Sequence, residues 1–498
     1  MIRKIVIFGG GTSGWLTAAF FVKNLIHQPE IVLIEDNKLG PIGVGEGTQP
    51  ATARFLHDCG IPPEKWMKSS NASFKLGVEL VGWNDDPYFV DNDTFQNHLI
   101  SDGFFTSEYF ANKPHEDFVN WHPSYQLAKA NKSPKMDIDH DFNFNLPVGN
   151  YGAVHFAAFD IISTIKEHIL DKITYVDTRI ETVEQSDMGI SALISEDGIR
   201  YTADLFVDCT GFRSILLNEL SVPFHSYDEW LPCDRAVAMP TSYTDPVAEC
   251  FPYTRATTMN SGWRWTIPIY NRVGNGYVYS SKFISDDQAE HELRTAINEW
   301  DAPANRLKMR CGRADMVAVK NVCAIGLSAG FVEPLEATGI TFTTAIVRNL
   351  ANAINNTTTS ALTRMSRTLL NQSFYEMVTE IVAFVWAHYH YSSRCNTPFW
   401  KSIREQSYND LPEDIRFFLD RHSTMPAKDM FATPRSMFNT VHWFSVLHAG
   451  GAYKNQQLSS IKEDYGKYFV ESQRARFKVA TEMFPNIHEF LTEFYAKP

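Results

Sequence analysis

Long uninterrupted apolar runs are missing from this 498-residue chain. None approaches the roughly twenty residues that a membrane-crossing helix needs, so no bilayer span is expected. Cysteine is scarce. Cys59, Cys209, Cys233, Cys250, Cys311, Cys323 and Cys395 form no CxxC pair, and seven is an odd number. That spacing excludes a zinc ribbon and points to reduced thiols rather than a disulfide framework. Basic residues are outnumbered, 45 against 58 acidic ones, for a net charge of −13. A nucleic-acid or anionic-membrane surface is therefore not expected. There is no repeat and no low-complexity tract. No leader-like stretch stands ahead of the first apolar strand, and the expected location is cytoplasmic.

What is present begins at the N-terminus. A short apolar strand (Met1 to Phe8, with KIVIF) runs into Gly9-Gly10-Gly11-Thr12-Ser13-Gly14. Gly9, Gly11 and Gly14 occupy the three glycine positions of a dinucleotide fingerprint. They permit a tight turn, close approach of a pyrophosphate, and close packing of helix on strand. The following helix, from Trp15 to about Ile26, aims its N-terminal N–H groups at the phosphates. A second strand, Ile31 to Ile34, ends in Glu35, about twenty residues beyond Gly14, where an acid meets ribose hydroxyls. Strand, helix, strand and acid in this order predict a bound dinucleotide; the motif alone does not separate FAD from NAD.

Four glycines then fall within Gly40 to Gly47. This loop, with Val44, Gly45 and Glu46, reads as a strap of backbone lying against the cofactor. Residues 51–68 read as helix. From Asn71 to Trp83 apolar and polar residues alternate, and that period turns Lys75 away from the apolar face, towards solvent. Residues 84–150 lack periodicity. Asp137-Ile138-Asp139-His140-Asp141 has the look of a calcium loop but lacks its glycine and terminal glutamate, and reads as a solvated loop.

Nucleotide-domain character returns between 155 and 210, with a helix from Phe159 to Asp171, strands at 173–176 and 179–185, a hairpin, and the buried strand Asp204 to Asp208. Residues 222–300 read as β-rich. Trp263 and Trp265 stand at i and i+2 on one strand face. A strand at 322–325 runs through a glycine turn to a helix starting at about Thr338, whose first amides can hold an anion. The remainder reads as mostly helical. His388 and His390 form an HxH pair with no third ligand nearby, so structural roles are expected and no metal site.

Several stretches together resemble one family, the flavin-dependent halogenases of the tryptophan-halogenase type, over nearly the whole chain. They are GGGTSGW (Gly9 to Trp15), GVGEGTQP (Gly43 to Pro50), NASFK (Asn71 to Lys75), DLFVDCTGFRS (Asp204 to Ser214), GWRWTIP (Gly262 to Pro268), GYVYSS (Gly276 to Ser281), FVEPLEATGI (Phe331 to Ile340) and TPFW (Thr397 to Trp400). The resemblance implies an enzyme that uses reduced FAD, O2 and chloride or bromide to make hypohalous acid, then halogenates a small aromatic molecule. It implies a separate NAD(P)H-dependent flavin reductase as partner, and leaves a homodimer open. It reverses the reading of Lys75, which matches the lysine that guides the electrophile; Glu336 matches the second catalytic residue. Thr338 and Gly339 match the halide site. Thr12, Ser13, Ile180, Leu327 and Ile340 match positions around the flavin. Trp263 and Trp265 match the pair that keeps substrate off the flavin.

One departure stands out. Free-tryptophan halogenases carry a tyrosine pair where this chain has Trp443 and Phe444, before Ser445 to Gly450. Both phenol hydroxyls are gone, and the aromatic platform around 95–105 does not align cleanly. An indole or another electron-rich arene without an amino-acid handle is the expected substrate. The competing readings are an FAD-dependent aromatic monooxygenase, disfavoured because Leu327 stands where that class has aspartate, and a flavin-binding protein without turnover. The expected fold class is mixed α/β: a Rossmann-like FAD domain of the aromatic-hydroxylase type with an inserted β-rich substrate region. The FAD domain is expected to be discontinuous (1–60, 155–220, 315–350), with 61–154 and 221–314 inserted and a mostly helical region at 351–498.

Overall fold

The computed structural model describes residues 1–39, 45–91, 109–135, 152–394, 396–424, 437–454 and 463–497. Val44, the acidic cluster at Asp137 to Asp141 and the 95–105 stretch lie outside them.

Apolar strands from widely separated stretches of the chain meet in a six-stranded sheet. Its order is Ala318–Val319, Val322–Ala324, Leu205–Asp208, Lys4–Phe8, Glu30–Glu35, Thr174–Asp177. All neighbours are parallel except the first pair. Parallel strands are buried on both faces, which is why these strands read as continuous runs of Val, Ile, Leu and Phe rather than alternating ones. The helices Thr12–Asn24 and Gly339–Asn355 pack together beside it. A seven-stranded sheet holds the second half of the site. Its order is Asn305–Lys308, Arg235–Thr241, Arg272–Tyr279, Gly262–Ile269, Thr254–Met259, Gly77–Val81, Tyr88–Asp91, antiparallel except where Thr254–Met259 meets Gly77–Val81. The β-rich reading of 222–300 holds for its strands, but Asp286–Ile297 is a helix opened by a Ser285–Gln288 capping box.

Two local expectations are corrected. The single helix expected at 51–68 is two helices, Pro50–Asp58 and Pro63–Ser69. Gly60 adopts φ +76° between them, and Pro62 and Pro63 cannot continue a hydrogen-bonded turn. The strand expected across 71–83 is also two, Ser73–Lys75 and Gly77–Val81, in different sheets. Leu76 makes the crossing, its N–H bonded to the Pro252 carbonyl at 2.6 Å. Ser73–Lys75 instead pairs with Ala153–Ala157, whose other edge carries Gly45–Gly47. Lys75 is therefore enclosed, only 2% exposed. A period-two pattern finds the solvent side only when the sheet has one, and this small sheet is covered on both faces.

Candidate functional site

The N-terminal glycines meet the backbone closely. A methyl group on Gly9, at φ +117°, would lie 2.2 Å from the Cys209 carbonyl oxygen, and one on Gly14 would lie 1.9 Å from the Gly9 oxygen. Gly11 has nothing within 4 Å of that position. Thr12 and Ser13 open the first helix, which has neither a side-chain cap nor an acid in its first turn, so its amides are free for an anion. The second glycine turn abuts the first: a methyl on Gly326, at φ +70°, would strike the Ser13 hydroxyl at 2.0 Å. Leu327 sits half-buried beside it, and Ile340 is buried at the start of the Gly339–Asn355 helix. Gly45 and Glu46 run as strand against Ala157 and Phe156, and Ile180 begins the Ile180–Ser186 strand half-buried. Tight turns, open backbone at Gly11 and an uncapped helix end fit a bound dinucleotide.

Glu35 lies against Gly10 at the tip of the second strand. Its carboxylate accepts from the Tyr175 hydroxyl (2.6 Å), Lys166 Nζ (2.8 Å) and Trp15 Nε1 (3.2 Å). Lys166 also stands 4.9 Å over the Trp15 ring. The acid is thus held in one orientation by three donors that spacing alone did not reveal.

Lys75 and Glu336 come from remote parts of the chain and meet next to the Gly47–Gln49 segment. Lys75 Nζ donates to the Thr48 carbonyl at 3.0 Å, and Gln49 Nε2 donates to the Glu336 main-chain carbonyl at 2.9 Å. A methyl on Gly47 would lie 3.3 to 3.5 Å from Thr254 Oγ1, Ala337 Cβ and Lys75 Cδ, so the three elements converge there. Burial lowers the Lys75 ammonium from 10.5 to about 8, and the Glu336 charge opposes that fall. His155 is sealed beneath. Its Nδ1 donates to the Pro268 carbonyl (3.0 Å) and its Nε2 accepts from the Thr254 hydroxyl (2.9 Å). Burial, and then the Lys75 charge, hold it neutral by pushing it down to about 3.

Glu336 is completely buried. Its Oε1 lies 3.0 Å from His388 Nε2, and its Oε2 has no partner among the described residues. His388 Nδ1 is 2.8 Å from the Phe384 carbonyl, which can only accept. Nδ1 therefore carries a proton, and the Nε2–Oε1 contact requires a second one shared between imidazole and carboxyl. The HxH pair expected to be structural is thus split. His388 and His390 point in different directions from the Arg364–His390 helix, as residues two apart must. His390 stacks on Trp386, while His388 joins the site. The sequence pattern of an HxH pair in a mostly helical region, taken with the acid at 336, contained no signal that would pair them.

After Glu336, Ala337 adopts φ +54°, a strained angle for a residue with a side chain. Among the described residues Thr338 Oγ1 is buried without a partner, and Gly339 has open space where a side-chain Cβ would stand. An unsatisfied hydroxyl beside an uncapped helix start is a donor set suited to a small anion.

Trp263 and Trp265 lie on one face of the Gly262–Ile269 strand, ring centroids 6.3 Å apart. Trp265 lies over Gly276, where a methyl would strike its ring at 2.0 Å. Beside Trp263 the buried Glu333 is pushed up to about 7 by burial. Tyr389, Cys233 and Trp263 surround it as donors, although neither carboxyl oxygen makes a well-formed hydrogen bond. Trp443 and Phe444 sit on the Thr440–Ala449 helix, both buried. Trp443 stacks on His422 at 4.4 Å and meets the Phe384 ring edge-on, which in turn meets His388 edge-on. Phe444 stacks on His448 and Tyr453.

Comparison with known proteins agrees with this geometry. Residues 4–463 match the tryptophan halogenase family. The chain is 30% identical over 545 aligned positions to a tryptophan 7-halogenase of Lentzea aerocolonigenes, covering 100% of this chain and 99% of that one. It superposes on the crystal structure of a tryptophan 6-halogenase from Streptomyces toxytricini with a TM-score of 0.86 at 28% identity, covering 98% and 99% of the two chains. A flavin-dependent halogenase from Brevundimonas sp. BAL3 superposes with a TM-score of 0.83 at 27% identity, covering 99% of each chain. Enzymes of this family take reduced flavin from a separate reductase and act on a small aromatic substrate. The chain belongs to the tryptophan halogenase family and is a flavin-dependent halogenase.

Proposed function

We propose that this enzyme halogenates an electron-rich, indole-type arene, with Lys75 and Glu336 directing the electrophile. The observation that carries the reading is the pairing of a buried lysine, lowered to about 8, with a buried glutamate that keeps one oxygen free. Reduced FAD with O2 supplies, when bound at the glycine cradle, the oxidising equivalents that turn halide into hypohalous acid. Thr338 and Gly339 hold the halide at the helix start. The Lys75 ammonium donates a hydrogen bond to the electrophile and fixes where the halogen sits relative to the arene. Glu336 Oε2 accepts the proton that the arene loses, and His388 holds Oε1 so that Oε2 stays aimed. Trp263 and Trp265 wall the arene off from the flavin.

Free tryptophan is not the preferred substrate in this reading. Trp443 and Phe444 are committed to stacking with His422, His448 and Tyr453, and neither offers a hydroxyl to an ammonium or carboxylate. Family membership sets the hydroxylase alternative aside. The test supplies FAD, a flavin reductase, NADH and bromide or chloride to wild type and Lys75→Ala with indole, and separately with tryptophan, read by mass spectrometry. Halogenated indole from wild type alone supports the reading. A higher kcat/KM for tryptophan than for indole sinks the substrate assignment, hydroxylated product sinks the class, and flavin binding without any product supports the non-catalytic alternative.

A further inference from the structure

Two histidines beside the Lys75–Glu336 pair are used by nothing described so far. His122 stands at the start of the short Pro123–Lys129 helix, and His442 lies on the helix that carries Trp443 and Phe444. Both are at least nine-tenths buried, and the Nε2 atom of each has no hydrogen-bond partner among the described residues. They are neighbours of each other and of the reacting groups. His442 senses the charges of Glu336, Lys75 and His122, and the Thr440–Ala449 helix packs on the Tyr88–Asp91 strand, where Tyr88 also senses Glu336.

Their tautomers differ, and the surroundings assign both. His442 Nδ1 accepts from the Asn439 main-chain N–H at 3.2 Å, closing a capping box. Its proton therefore resides on Nε2, which leans towards the Asp91 carbonyl without reaching hydrogen-bond geometry. Nε2–H is a buried donor in want of an acceptor. His122 is the reverse case. Its Nδ1 lies 3.3 Å from Asp91 Oδ2, so the carboxylate draws the proton to Nδ1 and leaves a lone pair on Nε2. Nε2 is a buried acceptor in want of a donor. An orphaned buried donor or acceptor costs about 1–3 kcal/mol. Two of opposite sense, both packed on the Tyr88–Asp91 strand within electrostatic reach of each other, form a site awaiting a complementary ligand.

We propose that His122 Nε2 and His442 Nε2–H are the polar anchors of the arene substrate, and that they select a neutral group presenting a donor and an acceptor together, such as an indole N–H with an amide carbonyl. The inference rests on the halogenase reading above for the identity of the ligand as the arene. A ring N–H and a ring lone pair do little to offset the desolvation of a free amino acid's ammonium and carboxylate, whereas an amide satisfies both and loses little on burial. Burial keeps His442 neutral by pushing it down to about 4. His442 stands one residue ahead of Trp443, on the same helix.

The experiment titrates four probes into the flavin-free protein by calorimetry: indole, indole-3-carboxamide, and the 1-methyl derivative of each. Wild type is expected to bind the carboxamide at least tenfold more tightly than its N-methyl derivative, which lacks the donor. It is also expected to bind it at least tenfold more tightly than indole, which lacks the acceptor. His122→Phe brings the first ratio to within twofold of one, and His442→Phe does the same to the second. His442→Gln, which retains a donor, restores the second ratio, and His122→Gln serves as the second acceptor-side variant should the phenylalanine substitution unfold. Wild-type ratios near one, or variants that move both ratios in parallel, overturn the proposal. The same probes are then run to turnover with bromide, FAD and reductase. Ratios that hold without any halogenated product support the anchors and remove the halogenase reading of this site. Product formed without the ratios removes the anchors alone.

Discussion

Burial places Lys75 under electrostatic strain. The fall from 10.5 to about 8, at about 1.4 kcal/mol per pH unit, means that holding this ammonium in the folded state costs about 3 kcal/mol. Between those two values the unfolded chain holds a proton that folded Lys75 has released, so the contribution of this residue to stability rises with pH across that window. Activity that needs the ammonium runs the other way and declines as pH rises through about 8. Lys75→Met is expected to raise the melting temperature by several degrees and to lower halogenation at least a thousandfold, measured by calorimetry and product mass spectrometry; an unchanged rate removes the catalytic role. His388 gives a second residue-scale prediction. His388→Phe fills the space but strips Glu336 Oε1 of its partner deep in the protein, which costs about 3–5 kcal/mol when one member of a buried pair is lost. Chemical denaturation checks this, with kcat expected to fall at least tenfold while KM for the arene changes little. Neither effect is readable from periodicity, because burial of Lys75 and pairing of His388 are both long-range outcomes.

At the scale of elements, the start of the Gly339–Asn355 helix separates fold from function. A methyl group at Gly339 meets no atom of the described residues within 4 Å, and alanine is the better helix former. Gly339→Ala is therefore expected to leave the fold intact and stabilise it by up to about 1 kcal/mol. It also places a methyl group where the halide is proposed to sit, so KM for bromide should rise about tenfold; halide-dependent kinetics at fixed arene concentration decide. A fall in stability with unaltered KM would place the halide elsewhere. The elements themselves were legible to different degrees. The first strand, helix and second strand followed from the glycine spacing and the apolar runs, since backbone geometry at Gly9 and Gly14 tolerates nothing larger. The 51–68 and 71–83 segments were read as single elements because composition is continuous across them. A proline pair at Pro62-Pro63 and a hydrogen bond from Leu76 to Pro252 divide them.

Across the whole molecule, the C-terminus supports the lysine strand from the outside. The Tyr495 hydroxyl on the Ile487–Ala496 helix donates to the carbonyls of Met67 and Ala72, and its ring stacks on Tyr270 at 3.8 Å. Phe490 of the same helix packs on Phe74, the residue before Lys75. Tyr495→Ala is expected to destabilise by about 2 kcal/mol and to lower halogenation at least fivefold while leaving FAD affinity within twofold, followed by flavin fluorescence. Equal loss of FAD binding and turnover would mean that the helix supports the whole fold and not the lysine strand.

The amino-acid sequence by itself determined the local items: the nucleotide cradle and, through motifs that resemble one family, the class of chain. These are legible because glycine at a strand–helix turn and an apolar run in a sheet are dictated by backbone sterics and burial within a few residues. Only the tertiary structure decided that Lys75 is enclosed rather than solvated, that His388 Nε2 stands 3.0 Å from Glu336 Oε1, that three donors fix Glu35, and that His122 and His442 each keep a ring nitrogen without a partner among the described residues. Each of those depends on which remote segment arrives alongside. In a low-dielectric interior that neighbour sets whether a side chain is charged, neutral, donor or acceptor.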